Sequence, residues 1–177
     1  MMICVYGSFS PNVPKEGLQS YMDLGERLGK KYDLIYGGGV HSTLGYLAQG
    51  MAKAGAKVVG VYPKAFEGMS IFDGCTEVIK CETMAQRKEV FESSADIFVV
   101  LPGGIGTLDE LFQAMVLIEK HMIEGKLIIF NHQGYYDTML EFFEEMEQKG
   151  MFHIDKTGLY SVATDFEQLE EMIDSAH

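Results

Sequence analysis

The run Ile97-Phe98-Val99-Val100-Leu101 is continuously apolar and passes without a break into Pro102-Gly103-Gly104-Ile105-Gly106-Thr107-Leu108-Asp109-Glu110. Five consecutive apolar residues suit a strand covered on both faces, the environment of a central strand in a parallel sheet. Parallel strands need crossover connections, so such a strand calls for helices on both sides of its sheet. The glycines allow a sharp turn, after which Leu108, Leu111, Phe112, Met115 and Ile118 recur at helical spacing. One strand, one glycine turn and one helix thus constrain most of what the chain can fold into.

The remaining segments agree. Strands are expected at Met2 to Tyr6, Asp33 to Tyr36, Val58 to Tyr62, Leu127 to Phe130 and about Leu159 to Ala163, with a short one at Glu77 to Lys80. Between them, helical periodicity predicts helices over about Lys15 to Lys30, from a Ser42 cap through Met51, from Thr83 to about Ala95, and over Tyr135 to Lys149. Asp165 with Gln168 gives a capping box for a last helix. The stretch 63–74 has no clear period and reads as a long mobile loop or lid. Phe142, Phe143 and Met146 are large enough to serve either a core or a subunit interface. The expected fold is one α/β domain over residues 1–177, a doubly wound and mainly parallel sheet flanked by helices. Ligands in such sheets sit at the carboxyl ends of strands where strand order reverses.

Composition narrows the function classes. With 14 Lys and Arg against 26 Asp and Glu, the formal net charge of −12 opposes non-specific binding to nucleic acid or anionic membranes. Cys4, Cys75 and Cys81 have neither CxxC spacing nor a nearby histidine partner, so they read as reduced cytoplasmic thiols. His41, His121, His132, His153 and His177 show no metal-ligand spacing, and no metal and no cofactor is expected. His41 alone lies near the expected pocket, where a local or solvent role is favoured over general acid catalysis. The apolar N-terminus lacks a basic flank, and no run reaches membrane-spanning length, so a cytoplasmic protein is expected.

Two helix starts carry the chemistry. Gly103, Gly104, Gly106 and Thr107 can bring backbone N–H groups and a helix dipole to an anion, or can simply make a tight turn. No Lys follows in Walker spacing, and Ser42 stands where Gly37-Gly38-Gly39 would need another glycine to complete GxGxxG. Thr107 and Glu110 fit a capping box, a complete structural explanation for both. The same spacing puts the Glu110 carboxylate about 4.5 Å along the helix from the anion site, about one sugar's reach. The helix N-terminus favours an ionised Glu110, whereas Asp109 points about 100° away, so the two are not a facing glycosidase pair. At the other start, Thr83 and Gln86 fit a capping box. There Arg87 and Lys88 place positive charge near the positive end of a helix, which is unfavourable unless they reach solvent, pair with Glu82, Glu89 or Glu92, or meet a bound anion.

Gly37-Gly38-Gly39, Met84-Ala85-Gln86-Arg87-Lys88 and Pro102 through Glu110 together resemble the LOG (Lonely Guy) family, whose members have often been labelled possible lysine decarboxylases. The resemblance runs from Ile3 to about Phe152. It implies a Rossmann-like homodimer that cleaves the N-glycosidic bond of a nucleoside 5′-monophosphate, a cytokinin riboside monophosphate or AMP, to free base and ribose 5-phosphate. By position, Arg87 and Glu110 match the catalytic pair, and Gly103, Gly104, Gly106 and Thr107 the phosphate loop. Ser8 and Gly39 would complete the phosphate end, with Met84 and Lys88 on the neighbouring wall. The chain departs from the family pattern at Val40-His41-Ser42-Thr43-Leu44-Gly45, at Ala85-Gln86 and at Asp109, departures that bear on base selectivity more than on reaction class. No lysine is set beside a recognisable pyridoxal phosphate site, so decarboxylation finds no support. The alternative is a nucleotide or phosphorylated-cofactor carrier using the same loop without cleavage.

Overall fold

Short apolar segments alternating with helices are realised as one sheet of seven parallel strands. The computed structural model describes residues 1–8, 10–152 and 158–176. The strands are β1 (Met2–Tyr6), β2 (Asp33–Tyr36), β3 (Val58–Pro63), β4 (Glu77–Cys81), β5 (Ile97–Val100), β6 (Lys126–Phe130) and β7 (Ser161–Ala163), in the spatial order β4-β3-β2-β1-β5-β6-β7. Every neighbouring pair is parallel, so the sheet is parallel throughout rather than mainly so.

Side chains alternate across each strand and so divide the core in two. On one face Ile3, Val5, Leu34 and Tyr36 pack beneath α1 (Leu18–Leu28), α2 (Ser42–Lys53) and α6 (Phe166–Asp174). On the other, Cys4, Tyr6, Ile35 and Val100 pack beneath α3 (Met84–Ser94), α4 (Ile105–Glu119) and α5 (Asp137–Gln148). All four residues of β5 are buried, as a strand covered on both faces requires. On the α5 surface the two phenylalanines part company: Phe143 is core and Phe142 is exposed.

Strand order reverses at β1. The chain steps outward from β1 through β2 and β3 to β4, then crosses by α3 to β5 on the other side of β1. The carboxyl ends of β1 and β5 therefore flank the crevice where an open sheet takes its ligand. The two ends are tied by Leu101 N donating to Tyr6 O at 2.8 Å and Ser8 N to Pro102 O at 3.4 Å.

Several boundaries differ from expectation. Helix α1 starts at Leu18, after the left-handed Gly17, and a 3-10 turn at His132–Gly134 shortens α5 at its start. Ser42 is not a cap: it is the first residue of α2, with φ of 62°, and its hydroxyl donates to the Ser8 carbonyl. The stretch 63–74 contains a 3-10 turn, Lys64–Phe66, and is strapped to the glycine run after β2: Ile71 bridges Gly39, and Phe72 N donates to Gly38 O at 2.9 Å. Thr83 and Asp165 do cap their helices, with Gln86 and Gln168 accepting from the residue before each cap, whereas Thr107 caps nothing, because α4 begins two residues earlier at Ile105 with Gly104 as its N-cap. Among the described residues, no helix is long and apolar enough to cross a membrane and no group of three or more His, Cys, Asp or Glu could hold a metal ion. His153 and His177 lie outside the described residues.

Candidate active site

With the capping box gone, the side chains of Thr107 and Glu110 are free for other partners. Both are buried inside α4, and Glu110 faces Arg87 of α3, with Arg87 Nη1 to Glu110 Oε1 at 2.7 Å. Arg87 is only 6% exposed and Glu110 7%. A buried ion pair must be held by further contacts to offset its desolvation. Arg87 has them: Nε donates to Val61 O at 3.1 Å, and the guanidinium carbon lies 4.8 Å from the Phe91 ring centroid and 6.0 Å from that of Phe66. Its Nη2 lies so close to Gly37 that a Cβ built there would come to 2.5 Å from it, so the second strand's glycine leaves room for the guanidinium.

Charge in this pair is finely balanced. Burial pushes the Glu110 carboxyl up to about 7, against the pull of the Arg87 guanidinium. The expectation of a carboxylate held ionised by the helix N-terminus is therefore corrected: Glu110 sits in the second turn, beyond the strongest part of the dipole, and burial dominates.

Two more polar rungs join the same helices. Lys88 Nζ reaches both carboxylate oxygens of Asp109 at 2.9 Å, and Gln113 Nε2 donates to Glu92 Oε1 at 2.6 Å. Arg87 and Lys88 thus find their negative partners across on α4, not among the glutamates of their own helix.

The ion pair opens onto a cavity of about 280 Å³ in the β1/β5 crevice. Ser8, Met84, Arg87, Gly104, Gly106, Thr107 and Glu110 line it together. The other expected residues stand beside it. Gly39 lines a smaller cleft with Tyr62, Met69 and Ile71, a cleft that shares Gly37, Phe66 and Arg87 with the main cavity. Gly103 is pressed against the Thr107 side chain, and Lys88 is engaged by Asp109. Sequence reasoning missed Val5, Gly7, Ser10, Gly37, Leu44 and Phe66 as lining residues. Gly37 was visible within its glycine run, but Phe66 comes from the aperiodic stretch, which has no local signature.

The glycine loop presents a consistent polarity. The carbonyls of Leu101, Pro102, Gly103 and Gly104 are engaged by Tyr136 Oη, Ser8 N, Tyr135 Oη and Leu108 N respectively. The first-turn N–H groups of α4 have no intrahelical carbonyl to bond, and its N-cap, Gly104, has no side chain to cap them. Such an end accepts an anion.

The family model described as "Possible lysine decarboxylase" matches residues 44–173. The probable cytokinin riboside 5′-monophosphate phosphoribohydrolase LOG6 of Arabidopsis thaliana is 32% identical over 150 residues, which cover 84% of this chain and 75% of the relative. The cytokinin riboside 5′-monophosphate phosphoribohydrolase LOG2 of the same plant is 34% identical over 153 residues, covering 84% and 70%. Among solved structures, the molybdenum cofactor carrier protein of Chlamydomonas reinhardtii aligns with a TM-score of 0.74 at 20% identity, over 99% of this chain and 96% of that one.

Proposed function

The chain belongs to the LOG family of phosphoribohydrolases, and we propose that it hydrolyses the N-glycosidic bond of a nucleoside 5′-monophosphate, AMP or a cytokinin riboside monophosphate, to free base and ribose 5-phosphate. The observation that carries this reading is the buried Arg87–Glu110 pair opening onto the same cavity as the uncapped start of α4. The 5′-phosphate takes the N–H groups at Gly104 to Thr107, with Ser8 beside them, and the ribose lies against Glu110. The base points toward the cleft of Gly39, Tyr62, Phe66 and Ile71. As the C1′–N bond breaks, positive charge grows on the sugar. An ionised Glu110 stabilises that charge or orients the attacking water, and Arg87 anchors the ribose or the carboxylate itself. No lysine lines the cavity among the described residues, so nothing there would hold pyridoxal phosphate as a Schiff base. The apolar groove between α4 and α5, with Phe112, Val116 and Phe142 exposed, is the face we assign to the homodimer expected of the family.

Incubation with AMP followed by chromatography tests the reaction: adenine and ribose 5-phosphate are expected. Because the reaction needs the Glu110 carboxylate ionised, kcat/KM is expected to rise with pH through about 7 and level off above it. The second reading, a carrier of a phosphorylated compound, draws on the likeness to the molybdenum cofactor carrier protein, which shows the fold alone. Retention of bound AMP with no release of adenine would decide for it.

A further inference from the structure

We infer that Tyr135 and Tyr136 are positioning residues that hold the glycine loop in its anion-accepting polarity, an inference that rests on the phosphate site proposed above. Gly103 and Gly104 have no Cβ to restrict them, so the peptide joining them has little intrinsic resistance to flipping. A flip would replace an N–H with a carbonyl oxygen at the mouth of the cavity and repel a phosphate. Tyr135 Oη donates to Gly103 O at 2.8 Å and fastens that peptide with its carbonyl away from the ligand. Tyr136 Oη donates to Leu101 O, also at 2.8 Å, and fixes the point where the loop leaves β5.

The corner that carries the two tyrosines is itself braced. Asn131, buried at the end of β6, accepts from Tyr136 N at 2.7 Å through Oδ1 and donates through Nδ2 to Asp137 Oδ1 at 2.7 Å. The tyrosine rings meet edge to face with centroids 4.9 Å apart. Tyr136 is buried, whereas Tyr135 is 56% exposed and contributes little to the core. Neither tyrosine lines the cavity of the Arg87–Glu110 pair, and Tyr135 lines a neighbouring one with Ser8, Pro102, Gly103 and Gly104, so the buttress acts on phosphate recognition through the loop itself.

The experiment measures binding of ribose 5-phosphate and of free adenine, by calorimetry, to the wild-type protein, Tyr135→Phe and Tyr136→Phe. Ribose 5-phosphate affinity is expected to fall about tenfold in Tyr136→Phe, which orphans a buried carbonyl, and severalfold in Tyr135→Phe. Adenine affinity should not change. Where AMP is cleaved, its KM should rise while kcat holds. Unchanged ribose 5-phosphate affinity in Tyr135→Phe, or equal weakening of both probes, would overturn the inference. Should Tyr136→Phe fail to fold, the exposed Tyr135 decides the matter. The hydrolase reading is judged separately, because a protein that binds ribose 5-phosphate without cleaving AMP loses that reading and keeps the tyrosines' role. Absence of ribose 5-phosphate binding to the wild type sinks both.

Discussion

Glu110→Gln is expected to lower kcat for nucleoside 5′-monophosphate cleavage by at least about 10²-fold at pH 8, the usual scale for removing a group that stabilises transition-state charge. Gln has the shape of Glu and still offers Arg87 an oxygen at the position of the 2.7 Å contact, so the change isolates the charge. The effect should shrink as pH falls below about 7, where the wild-type carboxyl is itself protonated. Rates for the two proteins measured from pH 5.5 to 8.5 check this. Equal turnover at pH 8 by a folded variant removes Glu110 from the chemistry.

Arg87→Met carries the second large effect, this time on stability. It leaves Glu110 buried with its counter-charge gone, and breaking a buried pair from one side costs about 3–5 kcal/mol. The pH dependence has a definite sign. In the wild type the folded-state value of Glu110, about 7, already lies above the ordinary carboxylate value of 4.5. Without the guanidinium it rises further, so the folded state binds more protons than the unfolded state across a wider range. Stability must then fall as pH rises from about 4.5 toward the new folded value. Urea melts of wild type and variant should lie closer together at pH 5 than at pH 8. A deficit independent of pH would mean that the loss comes from packing against Phe91 and Phe66 and not from the orphaned carboxylate.

Much of the architecture was legible because strand burial writes itself into composition. Met2–Tyr6 and Asp33–Tyr36 stand where the apolar runs put them, and the continuous run at 97–101 announced the central strand. The start of α4 was misread for a physical reason. Thr107 and Glu110 match a capping pattern, but that pattern does not register that Gly104 can open a helix with no side-chain cap at all. Once the helix begins at Ile105, the two residues turn inward, and the bland explanation of both disappears. Phe66 and the two tyrosines were illegible for another reason. Their partners, the Arg87 guanidinium and the carbonyls of Gly103 and Leu101, lie 21, 32 and 35 residues away along the chain and leave no local pattern.

The three polar rungs between α3 and α4 have a consequence for how the molecule breathes. Of the side chains of α3, only Arg87, Phe91 and Glu92 are buried, so this helix has far less apolar surface holding it down than α1 or α4. Its attachment is mostly electrostatic, and the exposed Lys88–Asp109 rung is worth at most about 1 kcal/mol. The amides of α3 should therefore exchange with solvent deuterium through a local opening well before those of β1 and β5, and more readily at high salt. A ligand bridging the glycine loop and Arg87 would couple that helix to the sheet, so occupancy of the cavity should appear as slowed exchange in α3, a helix most of whose residues the ligand never touches.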